Sequence, residues 1–328
     1  MKHRSKLVLT AIIIGISATT CKNKHDVNPL TPGLYTTWMS QNKEAFSTLT
    51  PDQLILLGSH DAASYAIRVG SPPCQGFRYP STGQPETSPA DSAGIKKSKT
   101  QLVNLYQQLE SGVRFLDLTV ALQDNCYWSE HIWLSDQYFS NTGIVYQLKQ
   151  YLQSYPDEII FLNFVTLLNA SGKMTVAEQH TFFELFHNSL GTLVTPRGRF
   201  DTSELGNIWL SPGRLIVIGD TQADLASNPS IWDSSRIVSV WANTKSIDTL
   251  MQNLYHSIVS WAGGADSNKL RILQAMTSTD DKIPNARLTN SALRDSLTNP
   301  WKNDSIYVIQ VDDAVNSGLM EVIDSRMK

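Results

Sequence analysis

Two histidines and a group of carboxylates stand where apolar runs of this chain end. Leu54 to Tyr65 reads LILLGSHDAASY, an apolar strand that stops at Gly58 and delivers His60 and Asp61 into the following turn. Asp117 lies in the apolar stretch Val113 to Leu122, His131 near the end of the stretch Tyr127 to Trp133, and Asp312 with Asp313 directly after Ile306 to Val311. Imidazoles titrate near neutrality, so small differences in environment can make one a general base and another a general acid, with carboxylates to orient them. A lone His-Asp pair reads equally well as a polar turn capping the next helix. The shared position of these residues at strand ends is what points to a site.

The elements that must hold them alternate along the chain. Helical spacing covers Gln101 to Ser111, Gly143 to Tyr155, Val176 to Leu190, Ser246 to Trp261, Leu288 to Leu297 and Leu319 to Ser325. Strands are expected at Val113 to Leu122, Tyr127 to Trp133, Glu158 to Leu167, Arg214 to Ile218, Ile237 to Trp241, Arg271 to Met276 and Ile306 to Val311. Apolar strands alternating with amphipathic helices predict an α/β fold with a parallel sheet, here a distorted TIM barrel; an open doubly wound sheet is the alternative. No GxGxxG follows the first strand, so nothing suggests a dinucleotide site. Period two puts Val113, Phe115, Asp117 and Thr119 on the inner face and Arg114 on the outer one. A carboxylate among such apolar neighbours needs a partner or a cation.

With 328 residues, 41% hydrophobic, and a net charge of -3, the chain can bury a large core and lacks the basic footprint that nucleic acid requires. Residues 1–21 have the layout of a secretory signal: basic residues, the apolar run Leu7 to Ile16, then small residues leading to Cys21. Ala18-Thr19-Thr20-Cys21 resembles a bacterial lipobox, which makes Cys21 the expected lipidation site and the protein an envelope lipoprotein; plain secretion is the alternative. Residues 22–45 read as a tether and N-terminal segment, with compact structure beginning near Trp38 and the catalytic domain assigned to 46–328. In an oxidising compartment Cys74 and Cys126 are expected to form a disulfide. The Pro- and Gly-rich loop Ser71 to Ser98 is expected to form a lid or rim, and Trp128, Trp133 and Tyr138 to line the mouth.

LGSHDAASY, QLESGVRFLDL, His131, LKQYLQSYPDEIIFLNF and the final VIQVDDA together resemble the X-domain of phosphatidylinositol-specific phospholipase C, from about Leu54 to Val165 and again at the end. The resemblance implies a distorted TIM barrel that cleaves the glycerol-side phosphodiester of inositol phospholipids. By position, it makes His60 the general base, oriented by Asp312. His131 becomes the general acid, coupled to Asp61, and Asp117 a carboxylate near the phosphate. Two positions depart from the pattern. Thr119 stands where metal-independent members carry arginine and Ca2+-dependent ones a carboxylate, and Val165 where Lys or Glu is usual. A missing charge donor costs on the order of two to three powers of ten in rate. One expected remedy is Ca2+ held by Asp117 and Asn163; the alternative is that Thr119 and Asn163 hydrogen-bond Asp117. The expected partners are phospholipid or glycolipid head groups at a membrane surface, and the protein is expected to be a monomer. The rival function is a non-catalytic lipoprotein that binds such head groups.

Overall fold

The computed structural model describes residues 33–219, 229–301 and 306–327. The signal segment and Cys21 lie outside the described residues. Within them, strands β1 (Leu56–Ser59), β2 (Phe115–Gln123), β3 (Cys126–His131), β4 (Trp133–Gln137), β5 (Ile160–Asn169), β6 (Gly172–Lys173), β7 (Leu215–Gly219), β8 (Ile231–Asp233), β9 (Ile237–Trp241), β10 (Leu270–Gln274) and β11 (Val308–Val311) form one sheet.

Its path runs β8-β7-β5-β2-β1-β11-β10-β9, with every neighbouring pair on that path parallel. Each strand thus pairs with those before and after it on the path, and β11 closes back on β1. No described pairing joins β8 to β9, so the barrel is nearly closed, as the alternating pattern predicted. Crossover connections with helices such as Ile144–Ser154, Val176–Leu190 and Ile247–Ala262 let consecutive strands run parallel. Val176–Leu190 starts on a capping box in which Thr175 and Glu178 satisfy each other's backbone N–H. Its phenylalanines Phe182, Phe183 and Phe186 pack edge-on against Phe164 of β5. Gly58 in β1 is tightly packed: a Cβ there would crowd Phe115 and Val308 at 3.3 Å each.

β3 runs differently from expectation. It is not the next barrel strand but the return arm of a hairpin, antiparallel to β2 with Gln123 opposite Cys126. Asp124 and Asn125 make the turn, both at positive φ (52° and 58°), the backbone that two-residue hairpin loops favour. β4 then pairs antiparallel with β3. This excursion carries His131 from the side to the mouth.

At the opposite pole, Trp38 and Met39 belong to the main core at 2% and 0% exposure, so the folded unit begins well before residue 46. Arg114, on the outer face of β2 as alternation predicts, is wholly buried there beneath the helices, over the rings of Trp38 and Tyr151. Its Nε donates to Glu158 Oε2 at 2.9 Å, and its remaining donors reach the carbonyls of Thr36, Leu109 and Val113. The other Glu158 oxygen accepts the Ser40 N–H.

The expected Cys74–Cys126 disulfide is not present. Cys74 is buried with Ala121 and Leu134, where burial, with Glu130 nearby, pushes its thiol up to about 12. Such a thiol supplies almost no thiolate for exchange. Cys126 sits at the hairpin turn opposite Gln123.

Candidate active site

Closure of β11 on β1 builds the first half of the site. Ser59 and Val311 are register partners, and the His60 N–H donates to the Val311 carbonyl at 3.0 Å. The next side chains, His60 and Asp312, therefore stand side by side, with His60 Nδ1 2.8 Å from Asp312 Oδ1. On its other nitrogen, His60 Nε2 lies 3.2 Å from Asp61 Oδ2. That same Asp61 oxygen is 3.3 Å from His131 Nδ1, and the two imidazole rings stand 6.0 Å apart.

The His131 ring is aimed by its backbone carbonyl partner. Nδ1 lies 2.6 Å from the Ser98 carbonyl, which can only accept, so Nδ1 carries the proton and Nε2 is the nitrogen left for chemistry. Ser98 ends the helix Ser92–Ser98, so the long loop is an ordered rim that orients a site residue. Its aromatics Phe77 and Tyr79 pack against Ile67, Ala90, Ile132 and Trp133. Three non-glycine residues at positive φ flank the site: Asp61 at 41°, Ile132 at 73° and Asp313 at 49°. For a β-branched residue such as Ile132 this conformation is costly, and the buried Glu130 carboxylate holds it by accepting the Ile132 N–H at 3.1 Å. Burial, reinforced by the Asp61 charge, pushes Glu130 up to about 7.

His60 and His131 keep 20% and 22% of their side chains exposed, against 8% for Asp61 and 3% for Asp312. A substrate can reach the imidazoles while the carboxylates act from behind. Burial alone would lower the His60 pKa, but Asp61, Asp312 and Asp117 together raise it to about 9. Burial would likewise raise Asp61, yet His131, His60 and Lys282 hold it below the usual carboxylate range. Asp117 goes the other way: burial, with Asp61 adding to it against His60, pushes it up to about 7.

Asp117 faces the site as period two predicts, and its register partner Asn163 donates Nδ2 to its Oδ1 at 3.1 Å. Thr119 does not join them. A bulge shifts the register between Leu118 and Thr119, so Thr119 pairs with Thr166 and Val165 is left out of the ladder, about half exposed. The Thr119 hydroxyl bonds across the β2–β3 hairpin, donating to the Glu130 carbonyl and accepting the Glu130 N–H at 3.1 Å. It offers nothing to a phosphate.

Nor do these residues fit the expected Ca2+ site, because a hard cation wants six or more oxygens. Asn163 presents an N–H to Asp117, and Thr119 is committed to β3. Single ligand atoms of His60, Asp61 and Asp117 do come within 4.8 Å of one another, but both His60 nitrogens already face carboxylates.

Sequence reasoning missed Lys282, at the start of the helix Lys282–Thr298 that follows β10 at the barrel mouth. Its charge acts on Asp61, and its ammonium has no hydrogen-bond or ion-pair partner among the described residues. Of the aromatics expected at the mouth, Tyr138 is buried with its hydroxyl on the Thr119 carbonyl, and Trp133 is buried with its indole N–H on the Ser88 carbonyl. Trp128 alone stays partly exposed.

The architecture matches solved structures over most of its length. Phosphatidylinositol-specific phospholipase C from Listeria monocytogenes superposes with a TM-score of 0.63 at 20% identity, covering 90% of this chain and 99% of that one. The Staphylococcus aureus enzyme gives 0.62 at 16% identity, covering 88% and 97%. PI-PLC X domain-containing protein 3 of Danio rerio is 25% identical over 231 residues, 68% of this chain and 69% of its own. In sequence the chain is similar to PI-PLC X domain-containing proteins, and in fold to the bacterial phospholipases. A Dictyostelium discoideum PI-PLC X domain-containing protein reaches 40% identity, over 87 residues that make up 26% of this chain and 14% of that much longer one. No family model matches the sequence. The barrel thus gathers two histidines, three carboxylates and the Lys282 ammonium, unpaired among the described residues, at the mouth formed by the C-terminal ends of its strands, where barrels of this kind carry their chemistry.

Proposed function

We propose that this X-domain-like protein is a phospholipase C-like phosphodiesterase acting on inositol phospholipids. The observation that carries the reading is the connected line Asp312, His60, Asp61, His131, in which one carboxylate contacts both imidazoles. His60 takes the proton of the inositol hydroxyl next to the phosphate, and the freed oxygen attacks phosphorus. The P–O bond to glycerol breaks as His131, coupled to Asp61, gives its Nε2 proton to the departing diacylglycerol oxygen. A cyclic inositol phosphate and a neutral diacylglycerol result. Asp312 fixes the His60 ring, and Asp117, raised to about 7 by burial, carries less negative charge beside the phosphate near neutrality than an ordinary carboxylate. Lys282 supplies the positive charge that Thr119 and Val165 do not.

The reading extends to location. The leader ending at Cys21 would tether the barrel to a bacterial envelope membrane, and labelling with a palmitate analogue that is lost in Cys21→Ala tests this.

One feature favours the rival, a head-group binder without turnover: the phosphate side of β2 and β5 lacks the usual cation. The deciding assay is release of diacylglycerol from phosphatidylinositol vesicles. Wild-type turnover that falls by about two to four powers of ten in both His60→Ala and His131→Ala supports the enzyme. Wild-type binding to the vesicles without any release selects the rival.

A further inference from the structure

The ladder between β1 and β11 stops just short of the chemistry. Ser59 and Val311 are its last register partners, and the bond that ends it is the His60 N–H on the Val311 carbonyl at 3.0 Å. The His60 carbonyl lies beyond it, and a backbone carbonyl turned away from water needs a donor. Gln101 supplies one. Its Nε2 donates to the His60 carbonyl at 3.1 Å and to the Val311 carbonyl at 3.0 Å, and its Oε1 accepts the Ala314 N–H at 3.1 Å. Carbonyls only accept and a peptide N–H only donates, so these partners fix the orientation of the amide and use both of its N–H groups. The side chain is 1% exposed. It serves as one further rung, with a hydrogen for each strand, at the point where His60 and Asp312 leave them.

Thr100 holds the same corner. Its hydroxyl donates to the His60 carbonyl at 2.8 Å, its own carbonyl accepts the Asp313 N–H at 2.7 Å, and Ser64 Oγ accepts the N–H groups of Thr100 and Gln101 at 3.0 and 3.2 Å. Just upstream, Ser98 presents the carbonyl that fixes the His131 ring. Helical spacing put Gln101 at the start of a helix, yet that helix begins at Leu105, which leaves Lys99 to Gln101 as irregular chain against the ends of β1 and β11.

We propose that Gln101 is a positioning residue, supported by Thr100, that keeps His60 and Asp312 aligned for proton transfer. The inference rests on the catalytic reading and deepens it. Both residues act through the backbone of His60 and its neighbours, not on the imidazole. An error of about 1 Å in such an alignment costs about two powers of ten in rate.

The test is Gln101→Met, which keeps the length of the side chain and removes its hydrogen bonds. On a soluble inositol phosphodiester, kcat should fall by about one to two powers of ten while KM changes by less than about twofold. A second readout needs no turnover. His60 faces Asp312, Asp61, Asp117 and His131, and its bond to Asp312 is among the contacts that, after the Asp61 charge, raise its pKa to about 9 against burial. NMR of the His60 ring in the full-length protein should therefore show the proton leaving at a pH lower by about half a unit or more in Gln101→Met. Added to Asp312→Asn, the same substitution should move that pH no further, because the bond it protects is already gone. If Gln101→Met does not fold, Thr100→Val and Thr100→Ser carry the same readouts, with loss expected in the first and recovery in the second. A wild type that releases no product ends the phosphodiesterase reading, whereas the His60 titration still decides the positioning role. A His60 titration that overlays the wild type in the folded variant, or a shift of equal size with and without Asp312, would overturn the proposal.

Discussion

His60 and Asp312 are 252 residues apart in sequence and share a 2.8 Å hydrogen bond. The bond exists because each follows one of a pair of register partners on β1 and β11. With Asp61 on its other nitrogen, the His60 ring lies between two carboxylates, an arrangement that favours the imidazolium.

A base with a pKa of about 9 is mostly protonated at pH 7. Because the proposed reaction needs His60 without its proton and His131 with one, kcat/KM on a soluble substrate should be bell-shaped in pH, with one limb near pH 9. Asp312→Asn removes one carboxylate, so the limb should move to lower pH while the plateau falls. A profile with no limb near pH 9 would take the base role away from His60.

Asp117 gives a stability test. Its folded pKa of about 7 lies above the ordinary 3.8, so the stability it contributes is present at pH below 3.8 and is lost as pH rises through 7. Asp117→Asn keeps the shape without the charge. Its melting temperature should exceed that of the wild type by roughly 3 °C or more at pH 8, with the gap closing at pH 5. An equal gap at both values would mean that the carboxyl is already ionised at pH 5.

If Lys282 is the phosphate's cation, Lys282→Ala should lower kcat/KM by about one to two powers of ten and Lys282→Arg should restore most of it. The same assay addresses Ca2+: with Asn163 and Thr119 committed elsewhere, a chelator should change the wild-type rate by less than about twofold. Suppression by chelator with rescue by Ca2+ would restore the metal and remove Lys282 from this role.

The buried Arg114–Glu158 pair should behave as structure alone. Arg114→Leu leaves a carboxylate stranded in the floor and should cost about 3–5 kcal/mol, read as a lower urea midpoint. Arg114→Leu with Glu158→Leu should recover part of that loss. A midpoint unmoved by Arg114→Leu would contradict the wholly buried pair.

Much of this was legible in the sequence. Val176–Leu190 and Ile237–Trp241 have the ends that periodicity predicts, because their apolar patterns are long or sharply bounded. His60, Asp61 and Asp312 were visible because they follow apolar strands, and Asp117 because it interrupts one. The direction of β3 was not, although Asp124-Asn125 between two apolar runs is a hairpin signal that could have shown it. β8, at three residues, is too short to display any period. The bulge at Thr119 and Val165 undid an argument from alternation, since one extra residue changes which neighbours a side chain meets. Ser98, Glu130 and Lys282 reach the site from a helix end, a hairpin strand and a helix start, and no local pattern marks such contacts.

The barrel's closure also sets when activity can arise. As the chain leaves the ribosome, β1, β2, β5 and β7 can pair one after another with neighbours already made, but β1 keeps one bare edge until β11 arrives. Asp312 comes with that last strand. An unfinished or C-terminally clipped chain therefore holds both histidines without the carboxylate that steers the first of them. If the protein is the phosphodiesterase proposed above, the pairing that steers its base arises only once the last strand of the barrel has docked.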